Sequence, residues 1–323
     1  MPPRLLRDPA LGHLTGKGLR YEGWYARVTD PVQGESFALI HGVMDPVNGA
    51  RVGWVIALSG RDARRVFQAF PAHQVAAPRD EAWVRIGPCH FAPTRVEGAL
   101  GGSAERCDWR LDLAPRVVSG ARLADSPMSY ALLVPGLETA WHPLALDAAA
   151  TGVVTFADRA VMFANAPAYT EKVWGTAFPR RWYWMQANAF DRPGASLCLS
   201  GGLVPVPGLD LAVRAGMILW HDGTRLHRFA SHVGATIRDE VAPGRWRLDA
   251  RRPRLRLQVE ADCPPEALVP LESPTPDGLH RIAHESLAGT VRVRLWHRPH
   301  PLVRWTLLHE ARSQWAGVEW GGR

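Results

Sequence analysis

The residues whose types could carry chemistry are concentrated in one segment, Ala168–Phe190, which reads AYTEKVWGTAFPRRWYWMQANAF. The segment brings together a carboxylate, an ammonium group, several indoles and two amides. Only two of the 38 basic residues of the chain are lysines, Lys17 and Lys172. A compact, movable ammonium at residue 172, in a chain that otherwise uses arginine, indicates that this group has a specific task there.

Strand alternation sorts the end of this segment into two faces. One face would carry two indoles, two amides and a phenyl ring: Trp182, Trp184, Gln186, Asn188 and Phe190. The other face would carry Tyr183, Met185, Ala187 and Ala189. Buried amides need hydrogen-bond partners, so the first face is more typical of a ligand cavity than of a pure core. The alternative is a structural ion pair between Glu171 and Lys172 with stacked indoles.

A second group of chemically capable residues is Tyr21–Tyr25, with the sequence YEGWY. In a strand, Glu22 and Trp24 share one face, and the two tyrosines share the other. A carboxyl beside an indole in an apolar cavity has a raised pKa, because burial disfavours the charged form. Such a carboxyl can act as a general acid. The alternative is that Glu22 caps or salt-bridges a strand end, while Trp24 belongs to the core.

Histidine and cysteine give no metal site. His41 follows the apolar strand Ser36–Ile40, and His221 begins a His-Asp-Gly sequence typical of a hairpin turn. The 13 histidines lack the spacing of metal ligands, so no metal is assigned. The 4 cysteines are far apart and form no CxxC motif: Cys89, Cys107, Cys198 and Cys263. We interpret them as free thiols.

The elements that must position these residues are mostly strands. Period-two alternation recurs along the chain, in Arg51–Leu58, Ala82–Ile86, Arg251–Glu260 and Arg292–Trp296. Turn signals separate such runs: Asp45-Pro46, Asn48-Gly49, Gly101-Gly102, Gly201-Gly202 and His221-Asp222-Gly223. Helical patterning is poor, and Leu137–Ala150 is the best candidate for a helix. The pattern predicts an all-β protein with antiparallel barrels or sandwiches and few short helices.

Length and motifs bound the organisation and the class. A chain of 323 residues allows two domains or one large β domain. The stretch Val134–Thr151 carries Pro and Gly, and we place the boundary there, giving domains 1–150 and 151–323. The sequence holds no glycine-rich phosphate loop, no G-x-S-x-G and no H-E-x-x-H. It therefore gives little support to a nucleotide-dependent enzyme or a serine hydrolase.

Charge and the amino terminus bear on partners and location. The net charge is +7, but the arginines are scattered and no nucleic-acid motif accompanies them, so we expect no nucleic-acid partner. The first residues have no apolar signal region, and no stretch approaches the length of a membrane span. We therefore expect a cytoplasmic protein.

These segments resemble the tocopherol cyclase family, in order and along nearly the whole chain. Tyr21–Tyr25 is similar to a family signature of the form F-E-G-W-Y, and Ala168–Asn188 is similar to the long central signature. Shorter similarities are at Ser200–Leu203, Trp220–Gly223, Glu285–Gly289 and Ala316–Gly322. The chain departs from the family at Val173, where Asn is common, and at Ala26, where an aromatic is common.

The resemblance implies a fold and an activity. The fold would be two lipocalin-like antiparallel β-barrels or half-barrels, similar to those of carotenoid hydratase and of fungal cycloaddition enzymes. The activity would be acid-catalysed, intramolecular closure of a prenylated hydroquinone to a chromanol, with no redox cofactor or metal. Two alternatives use the same cavity: a non-catalytic carrier of a lipophilic isoprenoid, and a hydratase or cyclase of another terpenoid or polyene.

On this interpretation the catalytic residues are Glu22, Glu171 and Lys172, with Glu22 preferred as the acid because Trp24 shares its face. The hydrophobic substrate would contact a larger set: Trp24, Tyr25, His41, Tyr169, Trp174, Trp182, Trp184, Gln186 and Asn188. Aromatic rings would stabilise the cation, and the amides would orient the hydroquinone oxygens. Because such substrates reside in lipid, peripheral contact with a membrane is also expected.

Overall fold

The computed structural model describes residues 8–14, 20–47, 49–102, 105–119, 126–206 and 208–322; Lys17 and Asn48 lie outside these ranges. The described residues form antiparallel strands with short 3-10 turns such as Ser129–Leu133, and they contain no α-helix. The all-β prediction, with two lipocalin-like barrels or half-barrels, is confirmed. The chain divides into two compact units: unit 1 runs to Phe178 and includes Glu272–His280, and unit 2 holds the rest.

Unit 1 is built on an eleven-stranded sheet with the order β4-β3-β2-β1-β11-β10-β9-β8-β7-β6-β5. Its strands are β1 Arg20–Asp30, β2 Glu35–Asp45, β3 Val52–Ser59, β4 Arg64–Pro71, β5 Val75–Ala76, β6 Val84–Ile86, β7 Cys89–Ala92, β8 Arg95–Gly101, β9 Arg106–Val118, β10 Thr139–Phe156 and β11 Arg159–Gly175. One face of the sheet surrounds an apolar core that includes Trp24, Phe37 and Trp109. Strand β1 is buried on both faces, so its sequence does not alternate between apolar and polar residues.

Unit 2 is built on a second antiparallel sheet with the order β15-β14-β13-β12-β21-β20-β18-β17-β16, and β19 pairs with β20 beside this path. Its strands are β12 Arg181–Ala187, β13 Ala195–Pro205, β14 Ala212–Asp222, β15 Leu226–Ala230, β16 Thr236–Ala242, β17 Arg245–Arg251, β18 Leu255–Asp262, β19 Val269–Thr275, β20 Gly278–His297 and β21 Thr306–Gly322. Its core includes Trp220, Phe229 and Trp246. The tip of the β19–β20 hairpin belongs to unit 1, where Arg65 donates a hydrogen bond of 2.7 Å to Glu272.

The helix predicted over Leu137–Ala150 is wrong, because this stretch lies in β10. Strand β10 pairs with both β9 and β11, and the register shifts near Pro143 and again at Ala145–Ala148. Ala145, Ala148 and Ala150 pack in the core of unit 1, and strand pairing overrides the helix propensity of alanine. The boundary expected between residues 150 and 151 also falls within β10, whereas the compact units divide after Phe178.

Gly201-Gly202 is not a turn either; it lies inside β13. A Cβ atom on Gly202 would lie 2.1 Å from the Arg181 carbonyl oxygen, so this glycine permits a close approach between strands. The alternation predicted for Arg251–Glu260 is confirmed, since Leu257 and Val259 are fully buried in β18. The four cysteines are free and buried, as expected. In the described part of the chain, no helix has the length and apolar character needed to cross a bilayer.

Candidate functional site

The pairing of β1 with β11 brings the two signature segments together. Its register sets Trp24 opposite Lys172 and Tyr25 opposite Glu171. Adjacent residues of a strand point to opposite faces, so this pairing sorts the candidate residues into two groups. We call the group on the core side the inner cluster: His13, Glu22, Trp24, Lys172 and Trp174. The group on the other face is the outer cluster: Tyr25, Trp141, Tyr169 and Glu171.

Lys172 is the centre of the inner cluster, and its side chain is completely buried. Its ammonium group forms an ion pair with Glu22, donates to the carbonyl oxygen of Leu11, and lies 5.5 Å from the ring centroids of both Trp24 and Trp174. A buried ammonium is stable only when it has such anionic, carbonyl and aromatic neighbours. The ammonium is therefore held in place, with its donors directed at protein groups.

Glu22 is held as firmly. Its carboxylate accepts hydrogen bonds from the backbone N–H groups of His13, at 3.0 and 3.1 Å, and of Leu14, at 3.2 Å. Burial acts to raise its pKa, but the charge of Lys172 and the contacts with His13 outweigh burial and lower the pKa from 4.5 to about 2. The expectation of a raised pKa is therefore wrong, and Glu22 is a carboxylate at neutral pH. Of the alternatives given for Glu22, the salt bridge describes its environment, with Lys172 as the partner.

The inner cluster holds the segment Asp8–Leu14 against the strands of unit 1. Lys172 contacts the carbonyl oxygens of Leu11 and Ala10, and the His13 ring stacks on Trp174 with centroids 4.1 Å apart. A Cβ atom on Gly12 would lie 2.5 Å from the carbonyl oxygen of Pro78, so the segment also fits closely on its other side. His13 gave no signal in the sequence, because no motif links it to Glu22.

His41 lies in β2, on the core side of the sheet. Its ring is 5.8 Å from Phe91 and 6.2 Å from Trp109, between centroids. Burial, with a smaller effect of the nearby His90, lowers its pKa to about 3, so the ring is neutral. This environment is that of a core histidine. His142 is also buried and lies opposite Lys172 in the pairing of β10 with β11.

The outer cluster is centred on the Glu171 carboxylate. Its Oε2 atom accepts a hydrogen bond of 2.6 Å from the Trp141 indole and one of 2.5 Å from the Tyr169 hydroxyl. Tyr25 lies edge-on to Tyr169, with ring centroids 6.3 Å apart. Glu171 is only 8% exposed. A buried carboxyl group in contact with an acidic hydroxyl is an arrangement that can hold and transfer a proton.

Trp141 is the functional candidate that the sequence interpretation missed. It belongs to β10 and lies opposite Val173 in β11, so strand pairing carries its indole to the neighbouring Glu171. The helix expected over Leu137–Ala150 concealed this position. In the sequence, the only indication of a role for Trp141 was that it directly precedes a histidine and a proline, in a chain rich in Trp.

The remaining candidates lie in unit 2, on β12. Tyr183, Met185 and Ala187 face the core of that unit, so Trp182, Trp184 and Gln186 are on the opposite face, where they are buried. The Trp182 indole donates a hydrogen bond of 2.5 Å to Glu319. The alternation predicted through Phe190 ends at Ala187: Asn188 follows the strand, and Phe190 contacts Trp220 in the core at 5.2 Å between ring centroids.

An indole covers a glycine in each unit. Trp54 lies directly opposite Gly42 across β2 and β3, and a Cβ atom on Gly42 would be 2.1 Å from its ring. In unit 2, Trp182 lies directly opposite Gly321 across β12 and β21, and the corresponding distance is also 2.1 Å. Among the described residues, no group of His, Cys, Asp and Glu is arranged to hold a metal ion.

Comparison with known proteins identifies the family. The sequence profile of a family described as tocopherol cyclase-like matches residues 82–322. A rice protein (Oryza sativa subsp. japonica) named for chloroplastic tocopherol cyclase is 28% identical over 378 residues, covering 99% of this chain and 79% of the rice protein.

Two solved structures share the fold. Kievitone hydratase from Nectria haematococca is 13% identical, with a TM-score of 0.55 over 98% of this chain and 91% of the hydratase. CghA is 11% identical, with a TM-score of 0.58 over 94% of this chain and 88% of its own. At these identities the likeness concerns the fold alone. The profile match, by contrast, spans most of the sequence, and the chain belongs to the tocopherol cyclase-like family.

Proposed function

We propose that this protein closes prenylated hydroquinones to chromanols by acid catalysis, and that Glu171 is the carboxyl group that handles the proton. Membership of the tocopherol cyclase-like family supports the substrate class. The observation that carries the choice of residue is the outer cluster, in which Trp141 and Tyr169 both donate hydrogen bonds to the Glu171 carboxylate. Glu22, the carboxyl preferred from the sequence, is instead ion-paired with the Lys172 ammonium.

The reaction requires one proton donor and one proton acceptor. The side-chain alkene nearest the ring takes a proton on carbon, which gives a tertiary cation. The phenol oxygen attacks this cation, a carbon–oxygen bond forms, and the phenol proton leaves. A carboxyl group that gives the first proton becomes the carboxylate that takes the second, so the enzyme is regenerated. The product is an isomer of the substrate, and no electrons are gained or lost.

The outer cluster offers groups for each of these demands. Glu171 would give and take the proton, and the Tyr169 hydroxyl, 2.5 Å away, would orient the carboxyl group. The rings of Tyr25 and Tyr169 would stabilise the cation through their π faces. The burial of these side chains would keep water away from the cation, which water would otherwise capture.

The other residues take different parts in this proposal. With a pKa of about 2, Glu22 has no proton to give at neutral pH. Lys172 engages Glu22 and two indoles, Trp24 and Trp174, so we assign these four to holding the structure around the site. Trp182, Trp184, Gln186 and Asn188 remain proposed substrate contacts.

The test is turnover of a reduced phytyl or geranylgeranyl methyl-hydroquinone under anaerobic conditions, followed by chromatography with chromanol fluorescence. Glu171→Gln is expected to lower the rate by about 10²–10⁴-fold. Glu22→Gln is expected to lower thermal stability and to keep turnover per folded molecule. Glu97→Gln, at a half-exposed carboxylate paired with Arg95, is the matched control. A folded Glu171→Gln variant with full activity would refute the assignment.

Other outcomes identify other activities. A product heavier by one water would indicate a hydratase, since cyclisation leaves the mass unchanged. Substrate binding with quenched Trp fluorescence and no product, in the wild type and in Glu171→Gln alike, would indicate a carrier. In both cases the cyclase proposal fails, while the family assignment stands.

The lipophilic substrate class also leads us to propose peripheral contact with a lipid surface. The net charge of +7 favours anionic lipid. Flotation with vesicles containing anionic phospholipid, against vesicles of neutral phospholipid, is the test. Absence of binding to both would remove this part of the proposal and leave the activity untouched.

A further inference from the structure

Unit 2 contains a cavity of about 800 Å³, and none of its lining residues belongs to the inner or the outer cluster. Its lining residues come only from unit 2: the beginning of β12, neighbouring parts of β13, β14 and β21, and the turn between β16 and β17. Ligand pockets in proteins are typically of about this size. The strand register determines which side chains line the cavity at each depth.

The rim is a row of residues that pair across neighbouring strands. Arg181 in β12 lies opposite Leu203 in β13, which lies opposite Arg214 in β14. Arg245, at the start of β17, lines the facing wall. Within the described residues, Arg181 and Arg245 form no ion pair, whereas Arg214 contacts Asp239 at 3.3 Å. Two guanidinium groups are therefore available at the mouth.

The next row, two residues further along each strand, is aromatic and about 7 Å deeper. Tyr183 lies opposite Trp320 on one side and opposite Gly201 on the other. The missing side chain of Gly201 leaves room for the Tyr183 hydroxyl, which would lie 2.3 Å from a Cβ atom there. The indole nitrogen of Trp320 is buried and has no hydrogen-bond partner in the described part of the chain. The floor thus consists of the side chains of Tyr183 and Trp320.

The row beneath belongs to the core and does not line the cavity. Met185, Leu199 and Ile218 pair across β12, β13 and β14, and they are fully buried in the core. The depth is therefore limited to the cationic rim and the aromatic floor. Asp239 and Glu240 also line the wall, so the mouth carries both signs of charge, with arginines in excess.

We propose that this end of unit 2 binds an amphipathic small molecule whose apolar body lies on Tyr183 and Trp320 and whose anionic head group is held by Arg181 and Arg245. A guanidinium group binds a carboxylate through paired, charge-assisted hydrogen bonds, which favours a carboxylate head. Trp182, a proposed substrate contact, also lines this cavity, but the head-group site rests on Arg181 and Arg245, which the proposed cyclisation does not use.

The test is calorimetric titration with decanoate and with decan-1-ol, which share a chain and differ in the head group. Decanoate is expected to bind about tenfold more tightly or better. Arg181→Gln and Arg245→Gln should each remove most of this preference and leave decan-1-ol binding unchanged. Leu203→Trp, which adds a large ring at the rim, should abolish binding of both. Arg180→Gln is the matched control, since Arg180 is exposed and does not line the cavity.

Equal affinity for the acid and the alcohol would overturn the proposed head-group site. So would an effect of Arg180→Gln as large as that of Arg181→Gln, since net charge alone would then explain binding. Unchanged binding in a folded Leu203→Trp variant would place the ligand elsewhere and overturn the site. Glu171→Gln should bind decanoate like the wild type, which separates this proposal from the proposed activity.

Discussion

Replacing Lys172 with Met tests the inner cluster directly. The substitution keeps an unbranched apolar stem and removes the ammonium group that faces Glu22, Trp24 and Trp174. Glu22 then remains buried with a negative charge, stabilised by the N–H groups of His13 and Leu14 and by the His13 ring, whose Nδ1 is 3.6 Å away. We expect a large loss of stability, because an unpaired buried charge is costly.

The lowered pKa of Glu22 gives the direction, because Lys172 and His13 favour the ionised carboxylate in the folded protein. Breaking a buried ion pair by removing one partner costs about 3–5 kcal/mol in other proteins. We therefore expect the free energy of unfolding of Lys172→Met to fall by about 3 kcal/mol at pH 7.

The pH dependence has a defined sign. The folded-state pKa of Glu22 is depressed, so its contribution is present above the unfolded value of 4.5 and is lost as the pH falls towards about 2. In Lys172→Met burial raises the Glu22 pKa, so the stability difference should begin to shrink above pH 4.5 and continue to shrink as the pH falls towards about 2.

Urea unfolding followed by Trp fluorescence is the assay, applied to Lys172→Met, Glu22→Gln and the double variant. The double variant should lose less than the sum of the single losses, by at least about 1 kcal/mol. Arg64→Met is the control; its pair with Glu105 is 3.3 Å long and exposed, so the loss should stay below about 1 kcal/mol. Additive single losses, or a Lys172→Met loss no larger than that of Arg64→Met, would refute the reasoning.

Three further predictions follow from buried or close contacts. Gly42→Ala should destabilise unit 1 by about 1–3 kcal/mol in urea unfolding, because the added Cβ atom would lie 2.1 Å from the Trp54 ring. The control is Gly102→Ala, which should be near neutral because no atom lies within 4 Å of the added Cβ atom. Equal losses of stability in the two variants would contradict this prediction. Asp222→Asn should cost about 1 kcal/mol at pH 7, because Asp222 accepts a 2.7 Å hydrogen bond from His227. Burial acts to raise the pKa of Asp222, but its hydrogen bonds have the larger effect, and the net pKa is lowered. The contribution of Asp222 to stability is therefore present above pH 3.8 and is lost as the pH falls below it. A stability difference that does not change with pH would be contrary evidence. The four cysteines should resist a thiol reagent in the folded protein and react fully in denaturant, since all are buried; rapid labelling of any one would show the core to be open.

The sequence was sufficient for the fold class and for parts of the site. Alternating residues such as Leu257 and Val259 predicted strands because one face of each must be buried. The same rule correctly placed Glu22 and Trp24 on one face. Leu137–Ala150 failed because alanine has a high helix propensity, and only pairing with β9 and β11 overrides it.

The partners of the charged residues could not be predicted. Glu171 and Lys172 are adjacent in sequence, yet neighbouring residues of a strand face opposite ways, so Lys172 instead meets Glu22 from β1. The register between distant strands decides this contact, and no local pattern encodes it. The pKa of Glu22 was misjudged for the same reason, since its burial was anticipated but Lys172 was not identified as its partner.

The indole–glycine contacts bear on how the sheets reach their correct alignment. If β3 slipped by two residues along β2, the Trp54 ring would meet the side chain of Ile40 or Met44 where Gly42 now leaves space. In unit 2 the equivalent contact, Trp182 on Gly321, joins its first strand to its last. Pairing of strands that are distant in sequence is the slow part of folding a β protein, and strands that pair in the wrong register are its main source of misfolding. Each of the two contacts is compatible with only one strand register. Substituting either glycine should therefore slow refolding and increase misfolding, as well as reduce stability.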